Sequence, residues 1–207
     1  MAVAALGLYA LWFMLAFGLR TIVQVRRTGD TGWRASRLPG ATGSLEWWAG
    51  LLFVIALVVG VAAPVADLAG LATIDALDAD LVAYAGLVIA GVGVLLTLAA
   101  QLSMGDSWRI GVDETESTEL VTEGAFRIVR NPIFSAMLVT AVGLAMMVPN
   151  VIALAGLIAL VIALEVQVRG AEEPYLVRVH GQRYLRYAHR VGRFVPALGR
   201  LENTGHR

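Results

Sequence analysis

The sequence predicts an all-α integral membrane bundle of about five transmembrane helices, finished by a cytoplasmic C-terminal helical cap. Three observations predict it. Of the 207 residues, 58% are hydrophobic and 15% charged, an apolar fraction that water-soluble domains rarely reach. The apolar residues come in charge-free blocks: Ala2 to Leu19, Trp47 to Ala66, Leu81 to Leu102 and Ile133 to Leu164. Finally, all 16 basic residues are arginines, and they fall in the segments between and after those blocks.

A span needs roughly 20 mostly apolar residues, because a rise of about 1.5 Å per residue must cover about 30 Å of hydrocarbon. Separate segments can satisfy their own backbone in lipid only as helices. The last block is long enough to cross almost twice, and Pro149-Asn150 favours a turn that splits it. Spans are therefore expected at residues 2–22, 46–66, 81–103, 133–149 and 150–168. No basic residue precedes the first block and no small-residue cleavage site ends it, so a retained span is expected rather than a signal peptide. The competing reading is a soluble helical protein with a very apolar core. Trp12-Phe13-Met14-Leu15 and Leu157 to Leu164 are more than alanine-rich helix and argue against it.

The charges orient the bundle. Five arginines lie between Arg20 and Arg37, three between Arg109 and Arg130, and eight between Arg169 and Arg207. The connection from Pro64 to Asp80 has none and carries Asp67, Asp75, Asp78 and Asp80. Basic residues mark cytoplasmic segments, which puts the N-terminus outside and the C-terminus inside. An arginine-only chain rich in Ala, Val and Gly also suggests a GC-rich bacterial genome, and hence a bacterial inner (plasma) membrane. The arginines within 23–45 read as contacts to anionic lipid head groups, worth about 1 kcal/mol each, and Trp47-Trp48 as an interfacial anchor. Membrane lipids are the expected surroundings, and no nucleic-acid partner is expected. The absence of cysteine excludes disulfides, thiolate nucleophiles and cysteine-ligated metals. His180, His189 and His206 show no His-x-x-x-His spacing, so no metal site is expected.

The chain reads as a single membrane domain, 1–207. Residues 1–100 are its N-terminal helices and residues 101–196 a region with the look of a catalytic one. Gln101 to Ile133 is too polar to lie in the membrane and too apolar for a plain linker. Gly105, Gly111 and Gly124 permit tight turns there, and Pro132 suits the first turn of the fourth helix. Arg127 and Arg130, three apart, share a helical face, either snorkelling at the membrane edge or facing a pocket. Further on, Glu165 and Arg169 are spaced to pair, and Gly170 offers a stop. Glu172-Glu173-Pro174 then opens a new helix. Tyr175 to Arg193 carries one apolar stripe (Leu176, Val179, Tyr184, Tyr187, Val191), as expected of one amphipathic helix lying on the membrane or closing over a membrane-facing pocket. Gly86, Ala90, Gly91 and Gly93 permit close helix contact, within the chain or between copies.

These two stretches resemble the isoprenylcysteine carboxyl methyltransferase family and its phospholipid methyltransferase relatives. The first signature is Leu120-Val121-Thr122-Glu123-Gly124-Ala125-Phe126-Arg127, then Val129-Arg130-Asn131-Pro132-Ile133-Phe134. The second is Glu172-Glu173, then Gly181, Tyr184, Tyr187, Val191, Arg193-Phe194 and Pro196. Met104-Gly105-Asp106-Ser107-Trp108 is similar to the family's lead-in. The resemblance covers roughly residues 101–196. Asn131 stands where many members have histidine, and Phe134 where many have tyrosine. Both replace a proton-exchanging group, although asparagine still hydrogen-bonds.

The resemblance implies methyl transfer from S-adenosylmethionine to a lipophilic acceptor, leaving S-adenosylhomocysteine. Arg130 and Glu173 are the residues it implies for catalysis. The implied cofactor pocket adds Leu120, Val121, Gly124, Asn131, Pro132, Phe134, Glu172 and Tyr184. Arg130 would meet the cofactor carboxylate, the acidic pair its ammonium or ribose, and backbone near Leu120 to Gly124 its adenine. Trp108, Arg109, Arg127, Tyr187 and Arg190 are candidates for the acceptor side. Carboxylate O-methylation fits best, since a carboxylate is already ionised near neutral pH; an amine acceptor is the variant. Two other classes stay open: an NADPH-dependent membrane reductase of the sterol-reductase type, with Arg178, Arg183 and Arg186 as a phosphate cluster, and a non-catalytic membrane protein that keeps the fold.

The charge asymmetry gives a direct test. A reporter fused after Arg207 is expected to be active in the cytoplasm; activity confined to the opposite side of the membrane overturns the orientation.

Overall fold

The structure is a computed structural model that describes residues 1–31, 43–105 and 119–201. Trp108 and Arg109, with the rest of 106–118, lie outside the described residues, as do 32–42 and 202–207. The first helix, α1 (Ala2–Phe13), runs through a π-helical turn (Met14–Leu19) into α2 (Arg20–Thr28). Then come α3 (Leu45–Leu68), α4 (Asp80–Met104), α5 (Pro132–Met147) and α6 (Val151–Gln167). A second π-helical turn (Val168–Glu172) carries α6 into α7 (Glu173–His180), and α8 (Gln182–Arg190) follows. Among the described residues there is no strand, only an isolated parallel bridge between Val129 and Gly192.

Among the described residues, four helical stretches are long and apolar enough to cross a bilayer: Ala2–Thr28, Trp47–Leu68, Asp80–Met104 and Val151–His180. The remaining predicted span, α5, has 16 residues and is about 24 Å long. It still runs from one end of the bundle to the other. Its start lies beside Gly192 and Arg193, to whose carbonyls the N–H groups of Arg130 and Asn131 donate (2.8 and 3.1 Å). At its far end Pro149 accepts from the N–H of Ile74 (2.7 Å), in the acidic connection between α3 and α4. The bundle thus has an arginine end and an acidic end.

Local chemistry sets the helix limits. The Ser44 hydroxyl caps α3 by accepting from the N–H of Trp47 at 3.2 Å, satisfying one of the unpaired donors of a first turn. Asn150 does the same for α6 through Ala153 N–H at 2.9 Å, and its amide donates to Ala63 O at 3.0 Å, tying α6 to the end of α3. Gly29, at φ 74°, closes α2 in the left-handed conformation that suits glycine.

Two glycines behave differently from their expected roles. Gly170 does not stop the helix; the chain stays helical from Val151 to His180. An added Cβ there would lie 2.6 Å from Leu45 Cδ2, the movable end of a side chain that is 55% exposed. The break falls instead at Gly181, at φ 51°. It divides the single amphipathic helix expected over Tyr175 to Arg193 into α7 and α8. The missing side chain at Gly181 meets no neighbour, so the backbone conformation alone calls for glycine here.

Packing follows two tight pairs, α4 with α5 and α3 with α6. Small residues make the first pair close: a Cβ on Gly143 would sit 2.3 Å from Ala90 N, and one on Gly93 2.4 Å from Thr140 Oγ1. Gly86 faces Gly143 O in the same way, whereas Gly91 meets nothing within 4 Å. Three of the four small residues noted in α4 therefore serve contact within the chain, as close helix approach in lipid requires.

The first helix lies parallel to α4 through a polar ladder. Trp12 Nε1 donates to Thr97 Oγ1 (3.3 Å), Gln101 Nε2 to Ala16 O (2.8 Å), and Arg20 Nη2 to Gly105 O. Each rung is one turn from the last on both helices, at a constant separation of 85 residues. The π-helical turn covers Ala16, whose carbonyl accepts from Gln101.

The α4–α5 contact is testable by a single methyl group. Gly143→Ala is expected to destabilise the detergent-solubilised protein by about 1–3 kcal/mol, the usual range for overpacking, with a clear fall in melting temperature. Gly91→Ala is expected to leave it almost unchanged. Equal melting temperatures would refute the contact.

Candidate functional site

At the arginine end the two signature stretches meet. Pro132 is buried and sits in the first turn of α5, where its missing N–H costs nothing. Arg130, two residues before, points back under the C-terminal helices with only 2% of its side chain exposed. Its Nη2 donates to Glu173 Oε1 at 2.6 Å and to Gly199 O at 3.0 Å. Its Nη1 donates to Ala188 O at 2.9 Å and to Val191 O at 2.6 Å. Four of the five guanidinium donors are thus used within the protein, and Nε is buried without a hydrogen-bond partner.

Glu173 holds a second guanidinium. Arg193 Nε donates to Oε1 at 2.8 Å and Arg193 Nη2 to Oε2 at 2.9 Å, the two-pronged geometry in which arginine and carboxylate bind most strongly. Both side chains are about 10% exposed. Arg193 Nη1 also lies 3.8 Å from Glu165 Oε2. Glu165 is 38% exposed and is held more closely by Arg169, at 2.6 Å, so the buried part of the clasp is one carboxylate between two guanidiniums, whose remaining donors are met largely by backbone carbonyls.

The backbone around this clasp is tightly drawn. Asn131 Nδ2 reaches Arg193 O at 3.3 Å, and Ser135 Oγ donates to Phe194 O at 2.6 Å. A Cβ on Gly192 would fall 2.1 Å from Val195 O, so only glycine lets the chain double back there. On the other side, Tyr187 OH donates to Phe126 O at 2.6 Å, fixing α8 to the short turn Gly124–Arg127. Gly124, at φ 59°, brings that turn against Ser103 at the end of α4. Tyr184 is fully buried in a cluster with Leu120, Tyr187 and Ala188. Burial pushes the Tyr187 phenol up to about 12 and raises that of Tyr184 further. Both are neutral near pH 7 and do not act as bases there.

The candidate residues fall into three groups. Arg130, Asn131, Pro132, Glu173, Leu120, Tyr184 and Tyr187 gather around the clasp, with Val121 and Glu172 half-buried beside them in the chain, whereas Gly124 is exposed and meets Ser103. Phe134 points into the bundle, packed near Trp12, Met137, Leu160 and Leu164. Arg127 and Arg190 are exposed, Arg127 loosely beside Glu123 at 3.9 Å. The residue that sequence reasoning passed over is Arg193. It was legible as part of the closing motif, but nothing in composition separates it from the other tail arginines, most of which are exposed.

Fold and site define a polytopic helical membrane protein whose two C-terminal motifs lock together through a buried arginine–carboxylate clasp. A family profile described as "Phospholipid methyltransferase" matches residues 81–183, from α4 to the start of α8. Protein-S-isoprenylcysteine O-methyltransferase B of Arabidopsis thaliana is similar, 33% identical over 113 residues. That alignment takes in 54% of this chain and 57% of the relative, so the chain spans little more than half of that protein's length. Through this segment the chain is similar to the phospholipid and isoprenylcysteine methyltransferases. Arg130 and Glu173 lie inside the matched segment; Arg193 lies beyond it.

The clasp has an asymmetric sensitivity. Glu173→Gln leaves two buried guanidiniums without their carboxylate and is expected to cost about 3–5 kcal/mol. Glu123→Gln, at an exposed pair, is expected to cost well under about 1 kcal/mol. Denaturation of the two variants in the same detergent measures the difference, and similar losses would show that the clasp does not hold the C-terminal helices.

Proposed function

We propose that the protein transfers a methyl group from S-adenosylmethionine to a lipophilic acceptor at the arginine end, on the cytoplasmic face. The supporting observation is the direct contact of Arg130 with Glu173, which brings two signatures 43 residues apart in sequence to one place.

The groups there suit the cofactor. Its carboxylate needs a donor, and Arg130 retains one buried, unpaired N–H at Nε. Its ammonium and ribose need acceptors, and Glu172 and Glu173 supply carboxylates. Backbone between Leu120 and Gly124 lies next to the same cluster and offers hydrogen-bonding groups to an adenine. When bound, S-adenosylmethionine supplies an electrophilic methyl group on a sulfonium sulfur. The protein's share is alignment and exclusion of water. Arg130 and Glu173 orient; Asn131 and Pro132 shape the corner; Tyr184, Tyr187 and Leu120 keep it dry.

A carboxylate acceptor is favoured on proton bookkeeping. It is already ionised near neutral pH and attacks without losing a proton. An alcohol or ammonium acceptor has to give one up. Tyr184 and Tyr187 are held neutral, and Asn131 and Phe134 are not bases, so the corner favours the acceptor that needs none. An amine that arrives unprotonated is the remaining variant. The family match favours methyl transfer over an NADPH-dependent reduction.

Calorimetry on the solubilised protein tests the proposal. S-adenosylmethionine and S-adenosylhomocysteine are expected to bind, and NADPH is not. Arg130→Ala and Glu173→Ala are each expected to weaken S-adenosylmethionine at least tenfold, about 1.4 kcal/mol, in samples whose thermal melts show them folded. Unchanged affinity in both variants rejects the assignment, and binding of NADPH alone replaces it with the reductase.

A further inference from the structure

The chain beyond α8 carries an apolar run that the clasp does not explain. Val195, Pro196, Ala197 and Leu198 follow one another and are all exposed, Val195 at 51% and Leu198 at 64%. Consecutive apolar residues facing water are a liability unless they serve a contact. These four are held firmly. The N–H of Leu198 donates to Val195 O at 3.1 Å, closing a turn, and the N–H of Arg193 donates to Leu198 O at 2.8 Å. Pro196 presets the first central position of the turn. Ala197 takes the second at φ 66°, and among the described residues every other positive φ belongs to glycine. Glycine would sit there without strain, so the alanine keeps a methyl group on the turn at a conformational cost.

The turn also lies at membrane depth. Phe194, just before it, packs against the cluster of Ala56, Leu160 and Leu164 among the spans. The Phe194 carbonyl accepts from Ser135 Oγ at 2.6 Å, in the first turn of α5. Leu164 stands about 20 Å along α6 from its start at the acidic end. The whole of α5, with its 16 residues, covers about 24 Å, short of a hydrocarbon layer about 30 Å thick. A segment fixed at this level turns its exposed side chains to acyl chains, not to bulk water.

Charge points to the kind of lipid. From Pro174 to Leu201 the sequence has six arginines and no acidic residue. Arg193 is taken up by Glu173. Arg200, two residues past the turn, is exposed, as are Arg183, Arg186 and Arg190, whose spacing of three and four puts them on one face of α8. Arginines beside an apolar element attract anionic head groups.

We propose that the turn at 195–198 is an interfacial anchor that dips into the leaflet at the arginine end, with Arg200 and the α8 arginines over anionic phospholipid head groups. Such an anchor does not depend on the methyl-transfer reading. It reaches the clasp through the backbone, since Leu198 O receives Arg193 N–H and Gly199 O receives Arg130 Nη2. Lipid contact thus braces the segment that closes over Arg130.

The chain has no cysteine, so one introduced cysteine carries a bimane label at a chosen place. The test uses full-length protein in nanodiscs of phosphatidylcholine and phosphatidylglycerol. Leu198→Cys is compared with Leu102→Cys, on the lipid-facing side of α4 near its end, and with Gln182→Cys, exposed on α8. Phospholipid brominated in the upper acyl chain is expected to quench the Leu198→Cys label at least half as strongly as the Leu102→Cys label. Aqueous iodide is expected to quench it at least fivefold less than the Gln182→Cys label. Bromines carried on phosphatidylglycerol are expected to quench at least twofold more than the same amount carried on phosphatidylcholine. Ala197→Cys reports on the same turn and is expected to repeat the pattern. Iodide quenching equal to that of Gln182→Cys at both positions overturns the proposal, since the turn then faces water. A label shielded from both quenchers also overturns it and marks a surface covered by protein. Equal quenching by the two phospholipids overturns the choice of an anionic partner.

Discussion

One carboxylate organises the C-terminal third of the protein. Glu173 meets guanidiniums from two sides, Arg130 before α5 and Arg193 after α8. Removing three charged side chains from water is costly unless each finds a partner. Here the second arginine also lies within 3.8 Å of Glu165, and three of the Arg130 donors end on carbonyls of α8 and the chain that follows it. The arrangement is stable only when the corner, the end of α6 and the final segment are all in place. That mutual dependence makes a fold from a stretch that has little apolar core of its own.

The clasp also explains the second π-helical turn. Pro174 lacks the N–H that an unbroken α-helix would direct at an earlier carbonyl. Widening the turn at Val168–Glu172 absorbs that loss just ahead of Pro174, and the N–H of Glu173 reaches back to Val168 O. Such turns often accompany function, and here the turn delivers the side chain on which the site depends.

The membrane helices were legible because lipid leaves so few choices: a charge-free block of 20 residues has one stable form. Their packing partners were not, since Gly86, Ala90, Gly91 and Gly93 look alike in sequence and only three of them face α5. Glycine misled for a general reason. It can mark a chain stop or a close approach, and the helix runs on through Gly170 and breaks at Gly181 instead. At the site, the meeting of Arg130 with Glu173 was foreseeable from paired motifs. The use of Arg193 was not, because burial decides which of many arginines becomes structural, and burial is a property of the folded chain. Phe134 shows the same thing in reverse, placed by its motif near the corner and by its apolar ring inside the bundle.

The ladder between the first helix and α4 carries a consequence for how this protein can vary. Its three rungs depend on a fixed count of residues, since Trp12, Ala16 and Arg20 each answer a partner 85 positions on. Adding or deleting a single amino acid between them would swing everything N-terminal to that point about 100° around the helix axis. Trp12 would then turn from Thr97 toward lipid, and Tyr9 would leave the carbonyl of Leu57. Homologous chains can thus exchange side chains on the lipid-facing side of this helix, yet a one-residue indel between the rungs is forbidden unless a second one, or a change in helical winding such as the turn at Met14–Leu19, restores the count.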